Sequence, residues 1–336
     1  MTHELKRIIQ AYSLAQKNGL KTVLATVVAL DGSSYRRPGV RMLIREDGKM
    51  TGAVSGGCVE KEICRQADSV FDNEIPKTMT YDGRYRLGCE GILYILIEPF
   101  APNDSFLQAF SRQLKNRDSF RIVSYFERID KADTSFGSLF FMGKEALAPR
   151  PVFNKNVGLE IFEQLLAPCF KLVVLGAEHD AVQLCSYAAL TGWEVTVVSG
   201  LAEEKVLADF PGIQKLIPTE PESFCVDAID AHTAVVIMTH SYVKDLQYLI
   251  RLRDSRPAYL GLLGPSKRRE KLLGELLERY PDVAYDFFEG IHGPAGLNIG
   301  GETAQEIAIA ILSEVLSVVR NQAPMMLKNK QGAIHS

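Results

Sequence analysis

The sequence predicts an α/β protein, in which a β-rich α+β domain is followed by a Rossmann-like domain with a doubly wound parallel sheet. In the second half, short and nearly all-apolar segments alternate with helical stretches, as do strands of a parallel sheet that are buried on both faces. In the first half, β-rich segments alternate with polar loops instead. The chain has 336 residues, which fits two domains at about 150 residues each. We therefore expect the domains 1–165 and 166–320, followed by a polar and mobile tail, 321–336.

The first domain is expected to begin with an amphipathic helix, because apolar residues recur at helical spacing from Leu5 to Tyr12 among charged residues. A signal peptide would instead have a continuous apolar core. The turn at Asp47-Gly48 predicts a hairpin between the two strands that flank it. The further elements predicted here are the strands 21–30, 41–46, 92–100, 120–129 and 137–143 and a helix over 58–72.

The second domain is expected to end in a long helix. Thr303 and Glu306 form the Thr-x-x-Glu pattern of a capping box, which marks a helix start. A glycine-rich loop, IHGPAGLNIGG, precedes this helix. The other predicted elements are the strands 171–177, 193–199, 233–239 and 258–264 and the helices 180–191 and 242–254.

Composition argues against several classes of function. The formal net charge of -3 does not support non-specific nucleic-acid binding, and no apolar run reaches the length of a membrane span. The six cysteines are scattered, so we expect them to be mostly reduced and the protein to be cytoplasmic. None forms a Cys-x-x-Cys pair, which disfavours a four-cysteine zinc or iron–sulfur site.

The stretch Gly56-Gly57-Cys58 places a thiol at the predicted start of a helix. A helix N-terminus lowers the pKa of a cysteine, and two glycines let backbone amides approach a ligand closely. Cys58 is therefore a small buried hydrophobe, a nucleophile, a metal ligand or a sulfur carrier, and the pattern alone leaves these open. Cys89, in RLGCEGILYI, is a second glycine-flanked cysteine in the same domain, which favours a functional interpretation.

The loop GSSYRRPGVR combines hydroxyl and guanidinium groups around a Pro-Gly turn. Arginine forks and hydroxyls match the oxygens of a phosphate. We single out Ser33, Arg36 and Arg37 as phosphate-binding candidates. Arg41 is interpreted as an outward residue of the next strand.

In the second domain, Gly176 follows the first strand as the first glycine of a nucleotide-binding turn does. Glu178 and Ala181 stand where the later glycines of Gly-x-Gly-x-x-Gly would lie, and Glu178 would place negative charge beside a pyrophosphate. The sequence therefore indicates the Rossmann-like fold more strongly than it indicates a bound nucleotide, and it argues against NAD(P) as a cofactor.

Further candidates lie in loops at the ends of the predicted strands. Ser266, Lys267 and Arg268 open a helix that would bind an anion or be a solvated basic face. The loop around Gly293 and Gly296 is expected at the carboxyl edge of the sheet, where open α/β folds bind ligands. His179, His240 and His292 are expected near the same crevice, either as hydrogen-bonding loop residues or, less favoured, as metal ligands.

Taken together, these segments resemble the XdhC/CoxI family of maturation factors for molybdenum hydroxylases such as xanthine dehydrogenase. The resemblance extends over about residues 20–320. The motifs that carry it are, in chain order, GSSYRRPGVRMLI, GAVSGGCVE, LGCEGILYILIEP, VVLGAEHDA, MTH, YLGLLGPSKRR and IHGPAGLNIGGETAQEIAIAI. The chain departs from the family pattern at Glu178, at Ser199-Gly200 and at Glu90 after Cys89.

The resemblance implies a chaperone that carries the molybdenum cofactor (molybdopterin) as transient cargo. It would support replacement of Mo=O by Mo=S and hand the cofactor to a xanthine dehydrogenase apo-subunit, with a cysteine desulfurase as sulfur source. Cys58 would contact molybdenum or relay sulfur, with Cys89 assisting, and self-association of such proteins implies a homodimer. The alternatives are an NAD(P)-dependent small-molecule oxidoreductase and a scaffold that recruits the desulfurase to the dehydrogenase.

Overall fold

The computed structural model describes residues 1–32, 37–55, 57–83, 91–151, 153 and 156–331, with Cys58 described by its backbone alone. The chain divides into two compact units, Met1–Pro168 and Cys169–Ser336.

The first unit contains three helices and ten strands among its described residues. In chain order they are α1 (Thr2–Lys17), β1 (Thr22–Asp31), β2 (Arg41–Arg45), β3 (Met50–Gly52), α2 (Cys58–Asn73), β4 (Lys77–Asp82), β5 (Ile92–Pro99), α3 (Asp104–Asn116), β6 (Phe120–Phe126), β7 (Lys131–Ala132), β8 (Gly137–Met142), β9 (Glu145–Leu147) and β10 (Glu160–Leu166).

These strands form two antiparallel sheets. The larger sheet has the order β3-β2-β1-β5-β4-β7, and the smaller one has the order β10-β6-β8-β9. The predicted hairpin at Asp47-Gly48 is confirmed, because β2 pairs with β3 in an antiparallel register. The predicted strands 120–129 and 137–143 are also confirmed as the neighbours β6 and β8, which belong to the smaller sheet.

Strand register places three connections at the same end of the strands of the larger sheet. β1 ends at Asp31, opposite Ile92 at the start of β5, and β4 ends at Asp82, opposite the same residue. β3 ends at Gly52, which lies opposite Met42 near the start of β2. The connections that leave from this edge are 32–40, 53–57 and 83–91. Each of them contains one of the motifs singled out in the sequence, and we call this place the motif edge.

Helix α2 packs on the larger sheet through a stripe of apolar residues. Val59, Ile63, Ala67 and Val70 are buried at the i, i+4, i+8, i+11 spacing of a single helix face. The stripe contacts the buried residues of β1 and β5, so the helix is held by apolar burial along its length. Because α2 starts directly after the 53–57 connection, this packing places its first residue, Cys58, at the motif edge.

The second unit contains five helices and six strands among its described residues. They are β11 (Lys171–Leu175), α4 (His179–Leu190), β12 (Glu194–Ser199), β13 (Lys215–Pro218), β14 (Thr233–Ile237), α5 (Tyr242–Leu252), β15 (Tyr259–Leu262), α6 (Ser266–Arg279), α7 (Tyr285–Glu289), β16 (Ile291–His292) and α8 (Ala304–Val319).

All six strands of this unit are parallel, in the order β13-β12-β11-β14-β15-β16. This is the 3-2-1-4-5-6 order of a Rossmann sheet. Helices α4 and α8 cover one face of the sheet and α5 and α6 cover the other. The predicted doubly wound fold is therefore confirmed. The short edge strands β13 and β16 belong to this sheet and were not among the strands predicted from the sequence.

None of the helices in the described parts of the chain is both long enough and apolar enough to cross a lipid bilayer.

Candidate functional site

The turn that precedes α2 has a backbone conformation that favours glycine. Gly57 is the N-cap residue of α2 and has φ 126°, where a side chain would strain the backbone. A Cβ built on Gly57 would meet no atom within 4 Å, so conformation alone accounts for the glycine. The turn directly before Cys58, the first helical position, therefore has a backbone conformation that residues other than glycine disfavour.

The carboxylate of Glu60 holds this turn in place. Its Oε1 accepts the amides of Val54 at 3.2 Å and Ser55 at 2.6 Å, and its Oε2 accepts the Ser55 hydroxyl at 2.6 Å and the Gly57 amide at 2.8 Å. Glu60 is buried, with 7% of its surface exposed. Burial alone would raise the pKa of Glu60, but the hydrogen bonds from Ser55 and Gly57 outweigh it and lower the pKa below its usual value.

Glu60 was not among the residues predicted from the sequence. Its signal is its position, three residues after the N-cap, where a glutamate side chain reaches back to the N-cap amide. The contact also corrects the expectation that the backbone amide of Gly57 approaches a ligand. That amide donates to Glu60, so in this structure Gly57 shapes the turn. Gly56, the Cys58 side chain and Cys89 lie outside the described residues.

The arginine-rich loop meets the same edge. Arg37 is exposed, while Ser33 and Arg36 lie outside the described residues. Arg41, expected to point outward, is instead buried, and its Nη1 donates to Gly39 O at 2.9 Å and to Gln164 Oε1 at 2.5 Å. Burial lowers the pKa of Arg41 to about 10. Arg41 therefore anchors the base of the loop, which leaves Arg37 as the described guanidinium that faces solvent there.

In the second unit, Gly176 lies where two strands of the sheet come together. A Cβ on Gly176 would stand 2.4 Å from Met238 O, and its φ is 127°, so only glycine lets the end of β11 pass the end of β14. These neighbouring strands are the first and fourth of the sheet, and the crevice between them is where open α/β folds bind ligands.

Acidic groups lie at this crevice. His179 is exposed at the first position of α4, and the His240 Nε2 lies 3.5 Å from the Asp180 Oδ2. Glu178, the N-cap residue of α4, is also exposed. Two carboxylates at a helix N-terminus occupy the place that a pyrophosphate takes in dinucleotide-binding domains, and they disfavour an anionic group there.

The turn after β15 shows a different use of its basic residues than the sequence predicted. Arg268 Nη2 donates to Asp245 Oδ2 at 2.6 Å, and the Asp245 side chain is 2% exposed. Asp245 Oδ1 also accepts the Thr239 hydroxyl at 2.6 Å. Arg268 therefore neutralises a buried carboxylate, a role that neither of the two interpretations, anion binding or a solvated basic face, had included, while Ser266 and Lys267 are exposed at the helix start.

His292 also lies elsewhere than expected. Its strand, β16, stands three strand positions from β11, about 14 Å at the spacing of a sheet, so His292 does not join His179 at the crevice. Its Nδ1 lies 3.2 Å from Glu314 Oε1, and its ring stacks on Tyr259 with centroids 4.6 Å apart. Burial, and the hydrogen bond from its hydroxyl to Glu314, raise the pKa of Tyr259.

The two glycines of the following loop are explained by close packing. The amide of Gly296 donates to Glu314 Oε2 at 2.7 Å, and a Cβ on it would approach the Ala310 Cβ to 3.2 Å. A Cβ on Gly293 would stand 2.8 Å from the Arg269 Cδ. The loop is thus packed against α8 and α6 at these two glycines.

Within the described part of the chain, no group of three or more His, Cys, Asp or Glu side chains is arranged to hold a metal ion.

Two family models match the chain. Residues 172–315 match the XdhC Rossmann domain, and residues 15–82 match the XdhC and CoxI family. The second match includes the arginine-rich loop, the Gly-Gly-Cys turn and Glu60.

Curated relatives match over nearly the whole chain. A protein of Bacillus subtilis (strain 168), named as a probable xanthine dehydrogenase subunit, is 27% identical over 90% of this chain and 94% of its own length. The molybdenum cofactor insertion chaperone PaoD of Escherichia coli (strain K12) is 25% identical over 96% of this chain and 91% of its own length. Among solved structures, one described as a xanthine dehydrogenase from Bacillus halodurans has a TM-score of 0.75 and 24% identity over 94% of this chain and 96% of that chain, a likeness that establishes the fold.

Proposed function

The chain belongs to the XdhC/CoxI family, and we propose that it is a chaperone that binds the molybdenum cofactor and supports its sulfuration and its insertion into a xanthine dehydrogenase-type hydroxylase. The observation that carries this proposal is the motif edge. Strand register brings to one end of one sheet the strand ends that flank the arginine-rich loop, the Gly-Gly-Cys turn and the connection that contains Cys89. The similarity to PaoD over nearly the full length of both chains supports the same function.

The residues at the motif edge suit the two ends of this cargo. The cofactor joins a phosphate-bearing pterin to molybdenum through sulfur atoms. Guanidinium groups bind phosphate oxygens in forked pairs, which is the role we assign to Arg37 together with Ser33 and Arg36. Thiolates are soft ligands that suit molybdenum and sulfur transfer, which is the role we assign to Cys58, with Cys89 assisting.

The start of α2 and the Glu60 carboxylate together define the position of Cys58. The N-terminus of a helix favours a thiolate through its dipole and unpaired amides, which is the effect that we propose for Cys58 in this sixteen-residue helix. The Glu60 carboxylate accepts amides of the turn and fixes where the helix begins. We infer that Glu60 fixes the position of the Cys58 backbone.

The connection that leads to Cys58 and the connection that contains Cys89 do not start from neighbouring strands. β3, which leads to Cys58, and β4, which leads to the 83–91 connection, stand four strand positions apart, about 19 Å at the spacing of a sheet. The Gly83 amide donates to Gly91 O at 3.1 Å and closes the base of that connection. A single molybdenum centre would therefore be held first by Cys58, and Cys89 would reach it across the edge or act at a separate step.

A chaperone of this kind holds its cargo transiently. We propose that a cysteine desulfurase supplies the sulfur, that a xanthine dehydrogenase apo-subunit receives the cofactor, and that the protein acts in the cytoplasm as a homodimer. In the second unit, the exposed His179, Ser266 and Lys267 are the residues that we propose for further contacts with the cargo or a partner. The carboxylates at the start of α4 support the interpretation that NAD(P) is not a cofactor.

The proposal is tested by purifying the protein from cells that make the cofactor and oxidising any bound molybdopterin to its fluorescent pterin product. We expect pterin to co-purify with the protein, or to be retained after loading with free cofactor. Retention is expected to fall in Arg37→Ala and to be unchanged in Arg112→Ala, an exposed control on α3 that lies outside the motif connections. A wild-type protein that retains no pterin under either condition would falsify the proposal.

A further inference from the structure

A polar cleft runs along α2 beside the larger sheet. It has a volume of about 390 Å³ and lies between α2, β4 and the segment that includes β7. Its lining residues are Glu62, Gln66, Lys77, Met79, Thr80, Asp130, Lys131 and Ala132. The volume is within the range of about 300–1,000 Å³ that small-molecule sites occupy. The sequence motifs do not include any of these residues.

Two of the elements that line the cleft, α2 and β4, lead to the motif edge. Positions 58, 62 and 66 follow one i, i+4 row of α2, with Glu62 about 6 Å and Gln66 about 12 Å along the helix axis from Cys58. Lys77 Nζ donates to Gln66 Oε1 at 2.5 Å, which aligns the far end of this row with the start of β4. From there α2 runs back to Cys58 while β4 runs up to Asp82, so both elements reach the motif edge at the same end of the cleft.

The cleft presents acceptors and donors in balance. Asp130 Oδ1 accepts the Thr80 amide at 2.6 Å, which fixes the orientation of that carboxylate. Glu62 Oε1 accepts Gln66 Nε2 at 2.8 Å, and Lys131 lies 3.0 Å from Asp133. Two carboxylates and two ammonium groups line the cleft, so its formal charge is zero. This balance suits a neutral polar ring better than a phosphate, which the carboxylates would repel.

We propose that this cleft binds the amino-pyrimidinone end of a pterin, with Asp130 as the residue that recognises its N–H edge. This inference rests on the proposed function, in which the metal end of the same molecule lies near Cys58. An amino-pyrimidinone presents an N–H and an exocyclic amine side by side, which a carboxylate accepts together, and beside them a carbonyl that an ammonium donates to. Met79 also lines the cleft, but it is 3% exposed and belongs to the core cluster that packs against α2, so the ring would be recognised through polar contacts.

The distance along α2 from the cleft to position 58 agrees with this assignment. The row from position 58 to Gln66 spans about 12 Å, two helical turns and more. A fused three-ring pyranopterin with its dithiolene at one end and its amino-pyrimidinone at the other is an elongated molecule that lies along such a row. Its phosphate arm is then left at the motif edge, where Arg37 is exposed.

The test uses the full-length protein and the bare ring systems pterin and lumazine, which carry no metal and no phosphate. Lumazine has an oxo group in place of the amine of pterin, so it keeps the ring N–H but lacks the second donor of the pair that a carboxylate accepts together. From the fluorescence of the two rings, we expect pterin to bind at least about tenfold more tightly than lumazine, since a hydrogen-bonding site rejects a ligand that leaves its polar groups unpaired.

A protein variant provides the second arm. Asp130→Asn keeps an acceptor for the Thr80 amide and removes the charge, so we expect a folded protein whose pterin affinity falls at least about tenfold. Asp118→Asn, an exposed substitution after α3, is the matched control and is expected to bind as the wild type does. Equal affinity for pterin and lumazine, or unchanged binding by Asp130→Asn, would overturn the inference.

The two proposals fail separately. If the wild type retains the whole cofactor but shows no preference for pterin over lumazine, the cleft assignment is wrong and the chaperone function stands. If the cleft binds pterin with the expected preference but the protein never retains the cofactor, the cleft assignment stands and the chaperone function is wrong.

Discussion

The carboxylate of Glu60 accepts the amide of Gly57 at 2.8 Å, three residues before it in the chain. Together with its bonds to Ser55, this contact pre-forms the turn that places Cys58 at the start of α2. The protein therefore supplies from its own chain the acceptor that would otherwise have to come from a bound anion. A turn that is ordered before its cargo arrives loses less entropy on binding.

Glu60→Gln is expected to destabilise the protein by about 1–3 kcal/mol, the cost of leaving buried donors of the turn without an acceptor. We expect cofactor retention to fall with it. Denaturant unfolding measures the first effect. Glu74→Gln is the matched control, since Glu74 lies at the other end of the same helix in an exposed pair with Lys21, and it should change stability by less than about 0.5 kcal/mol. Equal stability of the two variants would show that Glu60 does not hold the turn.

The same carboxylate gives a direction for the dependence of stability on pH. The pKa of Glu60 is lower in the folded state than its usual value of 4.5, so its stabilising contribution is present above pH 4.5 and is lost as the pH falls through the folded-state pKa. The unfolding free energy of the wild type should therefore fall more steeply below pH 4.5 than that of Glu60→Gln. Parallel curves for the two proteins would contradict this assignment.

Alanine substitutions at two glycines with positive φ, Gly57 and Gly176, distinguish the cost of backbone strain from the cost of steric overlap. Gly57→Ala meets no atom, so only the backbone strain at φ 126° remains, a cost of about 1–3 kcal/mol. Gly176→Ala has similar strain and in addition brings a methyl group to 2.4 Å from Met238 O, which forces the backbone to move. The loss of stability on unfolding in denaturant should be larger for Gly176→Ala. The reverse order would mean that the ends of β11 and β14 are not packed as described.

Arg268 is predicted to act as a structural partner of Asp245 and not as a phosphate ligand. Arg268→Ala leaves a buried carboxylate without its counter-ion and should cost about 3 kcal/mol of stability. Lys267→Ala, one residue away and exposed, should cost less than about 0.5 kcal/mol. An Arg268→Ala protein of unchanged stability that has lost its bound cofactor would reverse this interpretation.

Much of the fold follows from local pattern. Thr303 and Glu306 were expected to cap the last helix, and the Thr303 amide donates to Glu306 Oε2 at 3.0 Å while the Glu306 amide donates to Thr303 Oγ1 at 3.3 Å. The apolar stripe of α2 and the turn at Asp47-Gly48 were equally readable, because each depends on residues only a few positions apart.

Outside the turn that Glu60 holds, the contacts of the candidate residues were less accessible from sequence, because they join residues far apart in the chain. Arg268 pairs with Asp245, 23 positions away, and His292 pairs with Glu314, 22 positions away. Arg41 contacts Gln164 across 123 positions. The sequence shows which residues carry charge, but the partner of each charged residue depends on how the strands and helices pack.

The assignment of Cys58 has a matched control within the same helix. Cys64 lies about one and two-thirds turns further along α2, its Sγ 3.4 Å from the Met50 Sδ, and burial together with Asp68 and Glu60 raises the pKa of its thiol. It is therefore the thiol of α2 that we expect to be inert. Substitution of each cysteine by alanine removes the same group from the same element, and only one of the two positions is at the motif edge.

The most direct measurement is activation of a xanthine dehydrogenase-type apo-subunit by the wild-type protein, by Cys58→Ala and by Cys64→Ala, each supplied with the same amount of cofactor and sulfur source. We predict that Cys64→Ala activates as the wild type does and that Cys58→Ala loses at least about tenfold in rate, equivalent to about 1.4 kcal/mol in the barrier of the limiting step. Full activation by Cys58→Ala would contradict the central claim that this cysteine handles the cofactor or its sulfur.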